Sequence, residues 1–227
     1  MICVILCGGL GTRISKYFSN VPKILIKVNK KPFIDYKIRQ LKKFKKIYLC
    51  CGFKSDQIST YVQEKKIKKI IIEKEKQLLG TGGSLKNIIK KIPTRKFFFT
   101  YGDNYLLDLP FSKMVKLSNL NKKSVLLIYK NNNKFDKSNV SIVNKTIIYK
   151  KNPKFKANYI DYGFFYLDKK HVLKCMPDKK KFDFAIVLKK LISKKLINYI
   201  EVNRRFYEIG TKKGYDDFKK YSKRENI

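Results

Sequence analysis

The sequence predicts a single α/β domain built on a largely parallel sheet with helices on both faces. Three observations carry this. The run ICVILC (2–7) is continuous and apolar, as a strand buried on both faces must be. Short β-rich runs then alternate with helical patterns through the first half, the signature of parallel strands joined by helical crossovers. The 227 residues are 44% hydrophobic, enough for a chain of this size to hide about 70% of its unfolded surface.

The elements follow in order. Pro32 opens PFIDYKIRQLKKF, where Phe33, Tyr36, Ile38 and Leu41 recur at helical spacing. IYLCC (47–51) reads as the second strand, and Ser55 is placed to cap the next helix. KIIIE (69–73) is the third strand. Gly82 and Gly83 lead into the helix SLKNIIKKI, and FFFTYGD (97–103) is the fourth strand. Beyond it SVLLIY (124–129), NVSIV (139–143) and TIIYK (146–150) read as strands, the last two turned by Asn144 and Lys145 as a hairpin. YIDYGFFYL (159–167) is a further strand, followed by helices near 169–175 and 182–194, the strands INYIEV and RFYEI, and a helix from about Lys212. No repeat, low-complexity linker or second apolar core interrupts the chain, so 1–227 is one domain.

Composition excludes several classes. No apolar run approaches the ~18 residues of a membrane-crossing helix, and MICVILCGG lacks the basic lead and cleavage site of a signal peptide. Five cysteines (Cys3, Cys7, Cys50, Cys51, Cys175) without C-x-x-C spacing argue against a zinc site or disulfide framework and fit a reducing cytoplasm. The one histidine, His171, cannot build a His-based triad or a facial metal triad. Lys plus Arg is 54 against 17 Asp plus Glu, a net charge of +37. That charge raises a nucleic-acid or anionic-membrane partner. However, only six of the 54 are arginines, and the lysines are scattered over nearly every segment. Compositional bias explains that pattern better than a recognition surface, and specific nucleic-acid or membrane binding is not expected. The charge would still steer anionic substrates inward.

The stretch that carries chemistry is CGGLGTRISKYFSNVPK (7–23), directly after the first strand. Gly8, Gly9 and Gly11 let the backbone approach a polyphosphate with its N–H groups turned inward. Arg13 offers a fork for phosphate oxygens and Lys23 a point charge. There is no G-K-[ST] of a Walker A loop, and Ile14 stands where the dinucleotide fingerprint needs its third glycine.

At these residues the chain resembles the sugar-1-phosphate nucleotidyltransferases. The resemblance continues through KPFIDY (31–36), LLGTGGSLKN (78–87), FFFTYGDN (97–104), YIDYGFFYL (159–167) and FYEIGT (206–211), in order over nearly the whole chain. In motif wording it is closest to the heptose-1-phosphate guanylyltransferase-like members. The resemblance implies a Rossmann-like doubly wound mixed sheet, with a nucleotide-binding part over about 1–110 and a sugar-phosphate-binding part over about 111–227. It implies a cytoplasmic, Mg²⁺-dependent transfer of a nucleotidyl group from a nucleoside triphosphate to a sugar 1-phosphate, releasing pyrophosphate and supplying precursors of surface polysaccharide or glycoconjugates.

It also implies roles. Gly8, Gly9, Gly11 and Thr12 would wrap the triphosphate, with Arg13 on its β and γ phosphates. Lys23 would hold the α-phosphate and the sugar phosphate. Glu75 or Gln77, with Gly80, falls in the base-reading stretch, and Gly82 would pack close to base and ribose. Asp103, at a strand's C-terminal end where open α/β sheets bind ligands, would be the first Mg²⁺ ligand. Glu208 would be the second, where relatives usually have Asp. Lys151, in YKKNPK, matches the lysine that holds the sugar phosphate, and Asp161 with Gly163 stands where a commoner Asn-x-Gly contacts sugar hydroxyls. The chemistry asks for such a set, since triphosphate plus sugar phosphate concentrates about five to six negative charges. A carboxylate at position 75 mildly favours GTP, and the resemblance mildly favours heptose 1-phosphate as acceptor. The alternatives are a UTP-, dTTP- or CTP-dependent hexose-1-phosphate enzyme or, in a different class, a basic nucleic-acid-binding module. The sequence leaves room for a homo-oligomer.

Overall fold

The computed structural model describes residues 1–150 and 157–227. All of β1 (Ile2–Leu6) is buried, as its apolar run requires. A turn of 3-10 helix at Lys23–Leu25 and a short ribbon of β2 (Lys27–Val28) with β3 (Lys31–Pro32) lead to α1 (Phe33–Gln40). The alternation continues through β4 (Lys46–Cys51), α2 (Ser55–Glu64), β5 (Ile70–Lys74), α3 (Gly80–Ile89) and β6 (Lys96–Tyr101). Next come β7 (Asn104–Leu106), α4 (Phe111–Asn121), β8 (Ser124–Lys130) and the hairpin of β9 (Val140–Val143) and β10 (Thr146–Tyr149). The described chain closes with β11 (Tyr159–Asp168), α5 (Lys169–Cys175), α6 (Phe184–Ser193), β12 (Ile197–Val202), β13 (Phe206–Glu208) and α7 (Lys212–Arg224).

The main sheet runs β5-β4-β1-β6-β11-β8-β12, with the β9–β10 hairpin beside β11. β5, β4, β1 and β6 are parallel, and β11 is antiparallel to both β6 and β8. The sheet is therefore mixed and doubly wound, as expected. Alternation along β1 divides the core. Val4 and Leu6 face Leu85, Ile88, Phe184 and Leu188 of α3 and α6, while Cys3 and Ile5 face Ile34, Ile58 and Met114 of α1, α2 and α4. Asn144 and Lys145 both take positive φ, 48° and 61°, giving the two-residue hairpin its left-handed turn.

Three local expectations are corrected. Lys54, in a left-handed conformation, occupies the N-cap of α2, and Ser55 is its first helical residue. Gly82 and Gly83 lie inside α3 rather than ahead of it. α4 is a full helix beyond those read from the sequence; Met114 and Ser118 are buried, Phe111, Val115 and Leu117 pack beside Met114, and it has no side-chain cap.

A third cluster also goes beyond the single core read from the sequence. Phe33 and Tyr36 of α1 meet Tyr215, Phe218 and Tyr221 of α7, with Tyr207 and Ile209 beside them. Phe218 is fully buried and stands 5.2 Å from Phe33 and from Tyr36, edge-on to both, the arrangement that aromatic quadrupoles favour. Phe218→Ala is expected to cost ~3–5 kcal/mol of stability, read as a lower denaturant midpoint with an unchanged slope.

Candidate active site

β1 is the point at which the sheet order reverses, with β4 on one side and β6 on the other. Ligands of open α/β sheets bind at the carboxyl ends of the strands flanking such a point. A cleft of about 470 Å³ opens there, lined by the loop that follows β1, by Lys23 and by Asp103. The loop is shaped for close approach. A Cβ on Gly9 would meet nothing within 4 Å, so no protein contact demands glycine at this cleft-lining position. At Gly11 φ is +66°, and a Cβ would press on the Lys23 stem at 3.0 Å. Glycine there both permits the turn and leaves the lysine its path into the cleft.

One ion pair lies on the cleft wall and a second, whose residues are not among its lining, lies beside it. Lys23 Nζ donates to Asp103 Oδ2 at 2.8 Å, and Arg13 Nη2 donates to Glu208 Oε1 at 3.1 Å. Their carboxylates come from distant segments through one ribbon: β13 pairs antiparallel with β7, setting Glu208 opposite Asn104, and the Ile209 amide donates to the Asp103 carbonyl at 2.9 Å. The Glu208 carboxyl is pushed up to about 7, first by burial and then by Asp103, with Arg13 and Lys23 opposing.

Beneath Asp103 lies Lys37, fully buried on α1. Its ammonium donates to Asn104 Oδ1 at 2.5 Å, to the Asn104 carbonyl at 2.9 Å and to Thr100 Oγ1 at 3.4 Å. Thr100 in turn donates to the Gly163 carbonyl at 2.8 Å. Burial lowers the Lys37 pKa to about 8, with Cys3, Asp103 and Cys7 opposing.

The expected residues sort clearly against this geometry. Gly8, Gly9, Gly11, Thr12, Lys23, Glu75, Gly80 and Asp103 all line the cleft. Arg13 stands at its edge through Glu208. The half-buried Glu75 keeps Oε1 without a hydrogen-bond partner. Burial raises its pKa, while Ser84 and the Leu79 amide act to lower it. Gly82 is not brought to the cleft: it is buried, and its amide donates to the Phe182 carbonyl at 2.9 Å. Asp161 and Gly163 sit at a bulge of β11 beside Tyr101, one ring removed from the cleft. Gly163 has φ +73° and its amide donates to Asp161 Oδ1, whose carboxyl burial pushes up to about 7. Lys151 lies outside the described residues. Sequence reasoning missed Leu10, Leu78, Tyr101 and Lys181, which also line the cleft. Tyr101 could have been taken from the YGDN string; Lys181, inside a KKK run, offers no such signal.

A glycine loop at the carboxyl edge of a doubly wound sheet, faced by paired cations and carboxylates, is the architecture of a nucleotide-binding protein. The chain belongs to the MobA-like NTP transferase domain family, whose model matches residues 3–133. Over 96% of its length it is 29% identical to the D-glycero-alpha-D-manno-heptose 1-phosphate guanylyltransferase of Campylobacter jejuni, covering 98% of that protein. Over 98% it is 28% identical to the enzyme of the same name from Aneurinibacillus thermoaerophilus, covering 97% of it. Among solved structures, HddC from Yersinia pseudotuberculosis complexed with GMP-PN superposes with a TM-score of 0.76 at 25% identity, over 97% of this chain and 98% of that one.

The Glu208 shift has a sign that can be measured. A carboxyl whose pKa is higher folded than unfolded favours folding while protonated, and that contribution is lost as the pH rises from 4.5 to about 7. A divalent cation taken up at Glu208 would need the ionised form and would expel the proton. Titrating divalent ion into the nucleotide-loaded protein should therefore release protons near pH 6 and not above about pH 8. Calorimetry in buffers of different ionisation enthalpy reads this, and Glu208→Gln should abolish the pH-dependent release.

Proposed function

We propose that this protein transfers a guanylyl group from GTP to a sugar 1-phosphate, with heptose 1-phosphate the favoured acceptor, and releases pyrophosphate. The observation that carries the reading is the double ion pair at and beside the cleft wall, in which Lys23 and Arg13 are held by Asp103 and Glu208. The similarity to heptose 1-phosphate guanylyltransferases over nearly the full length of both chains supports the substrate pair.

The chain's own groups then have defined tasks. The amides of Gly8, Gly9 and Gly11 and the side chain of Thr12 cradle the triphosphate. Lys23 binds the α-phosphate and draws the sugar phosphate to it. Arg13, as a planar fork, takes the β and γ phosphates. A sugar-phosphate oxygen attacks the α-phosphorus in line; the new P–O bond forms as the bond to the bridging oxygen breaks, and that electron pair leaves with pyrophosphate. No covalent protein intermediate is needed, and rate comes from positioning and fixed charge. The unpartnered Glu75 Oε1 supports a guanine base. A carboxylate accepts from both N1–H and N2–H₂ of guanine, whereas uracil and thymine offer it only N3–H. Lys151, Asp161 and Gly163 remain the proposed sugar side.

The donor set also fits a hard divalent cation such as Mg²⁺. Burial and then Asp103 raise the Glu208 pKa, and a bound cation would ease both the burial of that charge and its repulsion from Asp103. No third His, Cys, Asp or Glu joins them among the described residues; Mg²⁺ characteristically takes one or two carboxylates and completes its shell with phosphate oxygens and water. When bound it would neutralise phosphate charge and ease departure of pyrophosphate. A nucleic-acid-binding module needs none of this arrangement.

The test is pyrophosphate release from five nucleoside triphosphates paired with several sugar 1-phosphates; no release with any pair removes the proposal. Asp103→Asn should keep the fold and lose most divalent-dependent turnover, because an amide is a poor ligand for a hard cation. Arg13→Lys should lower kcat/KM by ~10²-fold or more, since a point charge cannot replace the fork.

A further inference from the structure

The glycines of LLGTGG make room for another stretch of chain, and of the three only Gly80 also lines the cleft. A Cβ on Gly80 would stand 2.7 Å from the Phe182 carbonyl oxygen. One on Gly82 would strike the Phe182 ring, and one on Gly83 the Lys180 carbonyl. Into that space the segment ahead of α6 is bolted by its backbone. The Phe182 amide donates to Leu79 O at 3.0 Å, and the Phe182 carbonyl accepts from Gly82 and Gly83 at 2.9 and 3.2 Å. Two side-chain bonds reinforce the joint: Lys86 Nζ donates to the Lys179 carbonyl at 3.2 Å, and Thr81 Oγ1 accepts from the Phe184 amide at 2.8 Å.

The residue delivered by this joint is Lys181. It is exposed, it lines the same cleft as the glycine loop, and it makes no hydrogen bond or ion pair with any described residue. Among the described residues only Lys23 and Lys181 bring positive charge to the cleft wall, and Lys23 is bonded to Asp103. Lys181 thus differs from the other lysines of its run: it lines the cleft, its backbone neighbours are fixed by close-packed glycines, and its ammonium bonds to no described residue.

We propose that Lys181 is a substrate-binding residue that takes a phosphate oxygen, belonging either to the nucleotide or to the sugar 1-phosphate. The inference rests on reading the cleft as a site for phosphorylated substrates, and binding measurements score it independently of turnover. Calorimetry would compare GTP, heptose 1-phosphate and guanosine on the wild type, Lys181→Ala, Lys181→Arg and Lys179→Ala. Lys181→Ala should weaken GTP or heptose 1-phosphate by ~10-fold, the usual scale of a charged hydrogen bond, with guanosine unchanged. The ligand affected tells which phosphate is held. Lys181→Arg should recover most of the loss, and Lys179→Ala should match the wild type. The proposal is overturned if both phosphorylated ligands bind Lys181→Ala within twofold of the wild type, or if guanosine weakens in parallel. It is likewise overturned by a wild type that binds neither phosphorylated ligand. A wild type that binds GTP yet releases no pyrophosphate would instead sink the transfer reaction and leave the Lys181 comparison standing.

Discussion

The cleft is organised around a problem of like charge. A site meant to receive a triphosphate must aim cations at one point, and those cations repel until the ligand arrives. The protein resolves this by giving each one a carboxylate: Asp103 for Lys23 and Glu208 for Arg13. The Arg13–Glu208 pair is worth little as a surface salt bridge, the Arg13 side chain being 62% exposed, while Lys23–Asp103 is partly buried. Their value lies in pre-orientation, because lysine and arginine otherwise lose rotamer freedom only when substrate binds. On the function proposed above, substrate would draw off the two cations and free the same carboxylates for a hard cation.

That exchange needs a rigid frame, and two features supply it. Lys37 fastens the turn after β6 from below through both the carbonyl and side chain of Asn104. A buried lysine is costly, and with three neutral acceptors it tolerates burial chiefly because every donor is used. Above, the aromatic cluster of α1 and α7 holds the β7–β13 ribbon, so Glu208 cannot drift from Asp103 without unstacking Tyr207 from Tyr221, whose centroids lie 4.6 Å apart. Buried polar bonds fix one carboxylate and aromatic packing the other.

Much of this was legible in the sequence where the cause is local. ICVILC announces a strand buried on both faces, Asn144-Lys145 a tight hairpin, and the glycines with Arg13 and Lys23 an anion loop, because periodicity and φ preference act over a few residues. α4 went unread although Phe111, Met114, Val115 and Leu117 recur at helical spacing and pack on the core; the exposed Leu120 and the scattered lysines and asparagines blur that stripe. Gly82 was misread because what it accommodates, Phe182, is about a hundred residues away in sequence. Glu208 came from resemblance to a family, since nothing in FYEIG itself points to Asp103. Lys37 and Lys181 were hidden by abundance: among 54 basic residues neither burial nor uncommitted exposure leaves a mark on the string.

The Arg13–Glu208 contact spans 195 residues, and this has a bearing on biogenesis. Loop-closure entropy must be met before so distant a pairing yields any return, and synthesis proceeds from the N-terminus at about 5–20 residues per second. For some ten seconds or more a nascent chain can therefore carry the glycine loop and Lys23 without its second carboxylate. During that interval Lys23 can already meet Asp103, 80 residues away, while Arg13 has no carboxylate partner. Arrival of β13 completes the ribbon that sets Glu208 opposite Asn104 and gives Arg13 its carboxylate.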